Sequence, residues 1–471
     1  MDPEANASST VAVAKSAGPD SVDWDGPKDP AHPRNWTKGT KQMHVLIISV
    51  FTLYSNLAAV MFAPGAPQLV KEFGITSNIV ASFTVSIYIL GYVFGPLFLS
   101  SMSELYGRLV VYHTCNAVYM AFTIGCALSS NAAMFLVFRF ICGCAASAPM
   151  VVGGGTIADL YIARERGKAM ALFALGPLLG PVIGPVIGGF VTERLGWRWT
   201  FWIILILAGI VTVTALILMT DEGDFRTRSS RTQSCARTFD KNRTPTQLLA
   251  RASIRPLRML FLSPVVFLLS LYTAFMFGLI YLLFTTFPGV FEITYHFATE
   301  TSGLAYLGLG IGMIVSIVLF AVLSDKLLHQ PREGKLERPE LRLILMMWST
   351  PVIPIGFFWY GWSADKVTHW IVPILGTLVI GLGAFLTPMP AQLYLVDAFG
   401  AEAAASALAA NTVLRSLFGA LLPLAGPAMY EALGLGWGNS LLAFITLAFC
   451  PIPFLFYKYG EGLRTKFPIS L

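Results

Sequence analysis

The sequence contains little charge for its length. Asp, Glu, Lys and Arg make up 12% of the 471 residues, whereas they make up about 25% of a soluble globular domain. Hydrophobic residues account for 55%, including 34 Phe and 10 Trp. So few charged side chains cannot cover this apolar content in water. The composition therefore excludes a soluble enzyme, a nucleic-acid-binding protein and a disordered scaffold, and it is typical of a protein with many membrane spans.

Cysteine is also scarce, and its spacing does not indicate chemistry. The six cysteines show neither the spacing of a zinc site nor a redox Cys-x-x-Cys motif. Cys142 and Cys144 lie two residues apart on a predicted helix and do not share a face. The sequence shows no metal-ligand cluster and no nucleophile–base pair in or beside its apolar segments. We therefore predict no enzyme activity, no metal and no cofactor.

Long apolar segments recur along the chain. About 20 helical residues cross the hydrocarbon core of a bilayer, and twelve segments are long and apolar enough to do so. Six lie in residues 44–219 and six in residues 262–459, on either side of the arginine-rich segment 220–261. We predict an all-α membrane protein with twelve transmembrane helices in two six-helix bundles. Residues 1–43 and 460–471 are predicted to be polar cytoplasmic tails.

The distribution of basic residues indicates the orientation in the membrane. If both termini are cytoplasmic, the loops expected outside contain only Lys71, Arg194, Arg198 and Lys366 of the 32 Lys and Arg residues. Because cytoplasmic loops are enriched in Lys and Arg, this asymmetry favours cytoplasmic N- and C-termini. The net charge of +6 then follows from topology and does not indicate nucleic-acid binding.

Two basic residues fall within predicted spans. Arg139 lies in span 4 and Arg415 in the middle of span 11. A charge near the bilayer centre costs several kcal/mol, so both side chains must face protein or water. Each could take part in proton coupling or bind substrate. The alternative is a structural arginine that donates to backbone carbonyls and holds helices together.

Acidic residues are missing from the middle of every predicted span. An exporter of cations usually needs a buried carboxylate to exchange a proton for its substrate, and this chain offers guanidinium groups instead. Guanidinium pairs best with planar anions, although a neutral substrate held by aromatic and hydroxyl groups fits equally well. Tyr88, Asn56 and Asn411 are polar span residues that could contact a ligand, but a core hydrogen bond is the more common role.

Span 5 contains a repeated pattern of glycine and proline from residue 176 to residue 189. Glycines four residues apart line one face of a helix and permit close contact with another helix. Each proline removes a backbone donor and bends the helix. We therefore expect a hinge or seal in this span, formed by Gly180, Gly184, Pro185, Gly188 and Gly189.

Charged turns follow spans 2 and 4. Glu104, near the start of the next helix, can accept hydrogen bonds from free N–H groups and can pair with a base, and Gly107 and Arg108 follow it. Asp159 and Arg166 flank the turn after span 4. We interpret these five residues as part of a gate on the cytoplasmic side. The alternative is a solvated loop whose charges only anchor the topology.

These features resemble those of the major facilitator superfamily, whose members have twelve spans in two halves. The turn from Ser100 to Arg108 is similar to the family's loop motif, although after span 8 only the segment 324–326 remains of it. Arg139 resembles the span-4 arginine of the family that is implicated in proton transfer. The segment 180–189 matches the span-5 motif of the family's antiporters.

Other segments are similar to fungal-type drug:proton antiporters with twelve spans, and the likeness covers about residues 23–460. These segments are 23–27, 33–36, 405–415 and 434–439. The resemblance implies the major facilitator fold and a proton-coupled exporter of small amphipathic drugs, toxins or secondary metabolites that works by alternating access.

The same resemblance implies the partners of the chain and its location. The partners would be a small-molecule substrate, protons and the lipid bilayer, with no nucleic acid. The protein would act as a monomer in the plasma membrane, with the vacuolar membrane as an alternative. An organic-acid or polyamine transporter of the same fold, or a membrane receptor that moves no solute, remains an alternative function.

Overall fold

The computed structural model describes residues 33–161, 166–219, 245–328 and 339–466, and every regular element in these ranges is helical. Eleven stretches within them are long and apolar enough to cross a bilayer, with mean hydropathy from 1.3 to 2.8. The prediction of an all-α membrane protein is therefore confirmed.

The helices, numbered in chain order, have these bounds: α1 Lys38–Met61, α2 Ala66–Glu72, α3 Asn78–Tyr106, α4 Arg108–Ala127, α5 Ala132–Ala146, α6 Ala148–Leu160, α7 Arg166–Leu195, α8 Arg198–Leu218, α9 Pro245–Leu262, α10 Pro264–Gly289, α11 Thr299–Leu304, α12 Tyr306–Leu328, α13 Leu343–Ser349, α14 Val352–Asp365, α15 Ile371–Leu386, α16 Pro388–Phe449 and α17 Pro451–Lys466. Short 3-10 turns at Pro33–Asn35, Ala63–Gly65 and Pro339–Arg342 and a π-helical turn at Val290–Thr294 complete the described elements.

Several helices begin at a residue whose side chain accepts a hydrogen bond from the first free N–H groups. Thr37 caps α1, Ser77 caps α3 and Asn131 caps α5 in this way. Gly107 alone joins α3 to α4, with φ of +90°. Residues with a Cβ rarely adopt this conformation, so glycine allows α4 to begin directly at Arg108.

The last apolar stretch, residues 406–462, contains 57 residues. As a straight helix it would be about 85 Å long, nearly three times the thickness of the hydrocarbon core. The chain turns at Gly434, where φ is +72°. A Cβ on Gly438 would lie 2.8 Å from the ring of Tyr430, although eight residues of straight helix rise about 12 Å. The stretch therefore folds back on itself and is long enough for two of the twelve predicted spans.

The outer faces of the helices are apolar. On α8, Ile206, Ile210, Val213 and Ile217 recur at helical spacing and are each between 57% and 66% exposed. Such a continuous apolar stripe would be unfavourable in water but matches the hydrocarbon of a bilayer. This surface is consistent with a multi-pass membrane protein.

The helices pack as two groups. In the first group, α1 packs against α7 and α8, and α5 packs against α3 and α4. In the second, α10 packs against α16, and α15 packs against α12 and α14. Between the groups, α3 contacts α16, and α7 contacts α11 and α12. Of the predicted linker, residues 220–244 lie outside the described residues, and the remainder forms most of α9, which contacts α3, α10 and α16.

The glycines of α7 bring its backbone onto the backbone of α1. A Cβ on Gly180 would lie 2.7 Å from the backbone nitrogen of Leu57, and one on Gly188 would overlap the carbonyl oxygen of Met61. Gly184 lies between them on the same face of α7. No larger residue fits at these positions without moving one helix away from the other, as expected for glycines four residues apart.

We predict that Gly188→Ala lowers the thermal unfolding temperature of the purified protein. Alanine normally favours a helix over glycine by about 1 kcal/mol, but overpacking against Met61 costs about 1–3 kcal/mol. The matched control is Gly154→Ala in α6, where nothing lies within 4 Å of an added Cβ. The Gly154 variant should melt at or above the wild-type temperature in detergent. Equal melting of the two variants would contradict the predicted backbone contact.

Candidate functional site

Arg139 of α5 is 1% exposed and donates only to backbone carbonyls. Its Nε lies 3.1 Å from the carbonyl oxygen of Thr84, and its Nη2 lies 3.2 Å from those of both Ala58 and Ala59. It forms no ion pair with any carboxylate of the described residues. The arginine thereby joins α5 to α1 and α3.

Three aromatic rings enclose the Arg139 guanidinium. The ring centres of Phe62 and Tyr88 each lie 5.1 Å from it, and that of Phe201 lies 5.4 Å away. Stacking on aromatic rings stabilises a buried cation that has no anion beside it. The Tyr88 hydroxyl donates to the carbonyl oxygen of Ser55 at 2.8 Å. The predicted site residues Arg139 and Tyr88 therefore lie together, among neighbours that all belong to the first group of helices.

Asn56 is half-buried in the first group of helices. Its Nδ2 donates to the carbonyl oxygen of Thr52 at 2.8 Å, one turn earlier in α1. Nearby, the Tyr54 hydroxyl donates to Asn116 Oδ1, and Asn116 Nδ2 donates to the Thr212 hydroxyl. This network joins α1, α4 and α8, and its members on α4 and α8 were not predicted from the sequence.

Asn411 and Arg415 lie one turn apart on the face of α16 that contacts α10. The Nδ2 of Asn411 lies 2.7 Å from Thr273 Oγ1 and 3.4 Å from Ser270 Oγ. The guanidinium of Arg415 lies 4.8 Å from the centre of the Phe277 ring. Asn411 thus joins two helices of the second group, and Arg415 continues the same face toward the middle of α10.

Arg415 lacks the partners that Arg139 has. Its side chain is partly exposed, and its buried Nε has no hydrogen-bond partner. No carboxylate of the described residues forms an ion pair with it. One turn further along α16, an added Cβ on Gly419 would lie 2.9 Å from the Phe277 ring of α10 and 3.2 Å from the Ile89 side chain of α3. Because α3 belongs to the first group and α10 to the second, Arg415 lies between the two groups.

Two ion pairs occupy equivalent places in the two groups. Arg108 Nε lies 2.6 Å from Asp159 Oδ2, which joins the start of α4 to the end of α6. Arg342 Nε lies 2.9 Å from Asp397 Oδ2, which joins the turn before α13 to α16. We call this end of the helices the Arg108 end. The second pair was not predicted, because the loop motif is not kept after span 8, but the equivalence of the two halves could have indicated it.

Glycine makes room for the first of these pairs. A Cβ on Gly155 would overlap the Arg108 guanidinium, so a larger residue would displace the side chain that reaches Asp159. The backbone of Gly107 places Arg108 at the first position of α4. The side chains of Glu104 and Arg166, the other predicted gate residues, lie outside the described part of the structure.

At the opposite end, α7 meets α11 of the second group. A Cβ on Gly303 would lie 2.7 Å from the carbonyl oxygen of Pro185, and one on Gly189 would lie 3.2 Å from the Cα of Gly303. We call this contact the α7–α11 seam. Beside it, Arg194 Nε lies 3.8 Å from Glu300 Oε2. The seam brings two backbones together without interlocking side chains, and the exposed ion pair adds little stability.

We predict that Arg139→Lys lowers the thermal unfolding temperature although it keeps the positive charge. A single ammonium group cannot reproduce the fork of donors that binds three carbonyls, and each buried carbonyl left without a donor costs about 1–3 kcal/mol. The control is Arg194→Lys, whose side chain is 72% exposed and whose replacement should leave melting in detergent unchanged. Wild-type melting of the Arg139 variant would show that only its charge matters.

The sequence pattern of the Major Facilitator Superfamily matches residues 46–423, which is most of the chain. The chain is 72% identical to MFS transporter prlG of Fungal sp. strain NRRL 50135, over 98% of this chain and all of that protein. It is 53% identical to the Trichosetin biosynthesis cluster MFS transporter of Gibberella fujikuroi, over 98% of this chain and 92% of that protein.

The fold is also found in solved structures. The xylose transporter XylE from E. coli, in a partially occluded inward-open conformation, is 17% identical and matches with a TM-score of 0.68, over 90% of this chain and 98% of that one. This likeness concerns the fold alone. Family and relatives together indicate a membrane transporter and not an enzyme. The chain therefore belongs to the Major Facilitator Superfamily.

Proposed function

We propose that this transporter exports small amphipathic secondary metabolites across the plasma membrane, by alternating access and in exchange for protons. The name of the Gibberella fujikuroi relative links that protein to the biosynthesis of trichosetin, which supports a substrate of this general kind. The glycine and proline motif of α7, similar to that of antiporters, supports exchange and not co-transport.

The observation that carries this proposal is the α7–α11 seam. Gly189 and Gly303 let the backbones of the two groups touch where larger side chains would hold them apart. A contact of this kind excludes water, and it can open without the separation of interlocked side chains. It is therefore suited to a gate that must close tightly and reopen in every cycle.

The opposite faces of α7 have different neighbours. Gly180, Gly184 and Gly188 fix one face to α1 within the first group, while Pro185 and Gly189 present the other face to the second group. Three prolines within α7, Pro177, Pro181 and Pro185, each remove one hydrogen bond of the helix. The helix can thus bend near the seam while its glycine face stays bound to α1.

The ion pairs at the Arg108 end would stabilise each group as a rigid unit while the groups rotate. Both join helices of the same group, so they need not break when the groups move relative to each other. In transporters built from two repeats, alternating access is largely rigid-body rocking of one repeat against the other around a central site. The seam would then open in one part of the cycle, while the ion pairs at the Arg108 end stay intact within each group.

We predict that cross-linking across the seam arrests transport. Arg194 Nε and Glu300 Oε2 lie 3.8 Å apart there. A short bismaleimide should therefore link the two introduced cysteines of the double variant Arg194→Cys/Glu300→Cys. Trichosetin transport into proteoliposomes should fall to the level of protein-free liposomes after cross-linking. Each single cysteine variant, treated in the same way, is the control for the native cysteines and should keep its transport. Full transport by the cross-linked protein would show that transport does not require the seam to open.

We also predict that a pH gradient drives accumulation. Proteoliposomes with an acidic lumen should concentrate trichosetin above its external level, because an antiporter lets protons leave as the substrate enters. Protein-free liposomes with the same gradient are the control for passive partitioning, and nigericin should abolish the accumulation. Equilibration without accumulation would contradict proton coupling. The absence of any protein-dependent flux of this probe would favour the receptor alternative.

A further inference from the structure

We propose that Arg415 binds the acidic group of the substrate, and that the substrates of this transporter are therefore organic molecules with a planar anionic group on an apolar body. This inference deepens the proposed function, because it names the substrate class of the site between the two groups of helices. It rests on the difference between the surroundings of Arg415 and those of Arg139.

The two buried arginines differ in how fully they are satisfied. Arg139 donates to three carbonyl oxygens and is enclosed by three rings, which leaves no place for a ligand. Arg415 lies against one ring, that of Phe277, and its Nε has no acceptor. A guanidinium stays charged in any protein environment. Arg415 is therefore a cation within a predicted span with which no carboxylate of the described residues forms an ion pair.

Arg415 is half-buried and lies on a face of α16 whose neighbours belong to both groups. One turn before it on the same face, Asn411 bonds to α10. One turn after it, Gly419 lies so close to its neighbours that an added Cβ would meet Phe277 of α10 at 2.9 Å and Ile89 of α3 at 3.2 Å. This face of α16 therefore looks toward α10 and α3 and not toward lipid. Transporters of two repeats bind their substrates at such an interface near the middle of the membrane.

The residues around Arg415 suit an apolar body with one acidic group. The Phe277 ring lies against the Arg415 guanidinium, and the centre of the Tyr281 ring lies 4.9 Å from that of Phe277. Ligand sites combine such apolar walls with a few polar groups that fix the orientation. Guanidinium presents its N–H donors in a planar fork that matches a carboxylate or a similar planar oxyanion. A polyamine would meet an uncompensated positive charge instead, because no carboxylate of the described residues pairs with Arg415.

The test compares two probes of nearly the same size and shape, one anionic and one neutral. Naphthalene-2-carboxylate and naphthalene-2-carboxamide have the same ring system, and only the first is an anion at neutral pH. Binding to the full-length protein in lipid nanodiscs is measured by titration calorimetry. A charge-assisted fork should make the carboxylate bind at least about tenfold more tightly than the amide. In Arg415→Gln the two affinities should become equal, while Arg415→Lys should keep a reduced preference for the carboxylate.

The control is Lys458→Gln, which also removes one positive charge but from an exposed position on α17. It should keep the wild-type ratio of the two affinities. A ratio near one in the wild type, absence of carboxylate binding, or an unchanged ratio in Arg415→Gln would overturn the inference. Thermal melting of each ligand-free variant shows whether a lost ratio reflects misfolding, and Arg415→Lys retains a readout if the glutamine variant does not fold.

This experiment is separate from the test of export. Binding in nanodiscs depends neither on the direction of transport nor on a pH gradient. Loss of the carboxylate preference in Arg415→Gln, together with absence of proton-driven accumulation by the wild type, would refute proton-coupled export and support the anion site. Proton-driven accumulation with no carboxylate preference would refute the anion site and support proton-coupled export.

Discussion

The close approach of the α7 and α1 backbones is the contact on which the rest of the arrangement depends. The glycine face of α7 leaves no gap against α1 at Gly180 and Gly188, so the two helices behave as one element. On its other face, at the Pro185 carbonyl and Gly189, α7 contacts the backbone of the second group. The amino acid with no side chain thereby lets α7 contact the backbone of its own group on one face and that of the second group on the other.

The buried charges show how far the sequence can predict the site. Hydropathy identifies Arg139 and Arg415 as exceptional, because each lies in an apolar span. It cannot say which arginine is satisfied, since the acceptors of Arg139 are backbone carbonyls of α1 and α3, more than 50 residues away in sequence. Every residue has a carbonyl, so no residue type at those positions indicates the bond. Whether a buried arginine is satisfied is therefore a property of tertiary packing.

The fold was more predictable than the site, for a physical reason. A span must be apolar along about 20 residues, so each crossing leaves a signal in its own segment. Ion pairs depend on two segments at once. Arg108 and Asp159 both lie in charged turns that the sequence assigns to one gate, although the sequence does not indicate that the two residues form an ion pair. The pair Arg342–Asp397 was missed because Arg342 follows a loop that has lost the motif, although the same two positions in each half carry it.

The unsatisfied charge of Arg415 has an energetic consequence for transport. A ligand can shift a conformational equilibrium only by as much as its affinities for the two states differ. Arg415 lies where α10 and α16 of one group approach α3 of the other, so movement between the groups would change the surroundings of its charge. The free-energy cost of burying this cation depends on how far the groups enclose it. An anion bound there would neutralise the charge and reduce that cost. Binding would thus favour the enclosed state, and the substrate itself would lower the barrier to rotation of the loaded transporter.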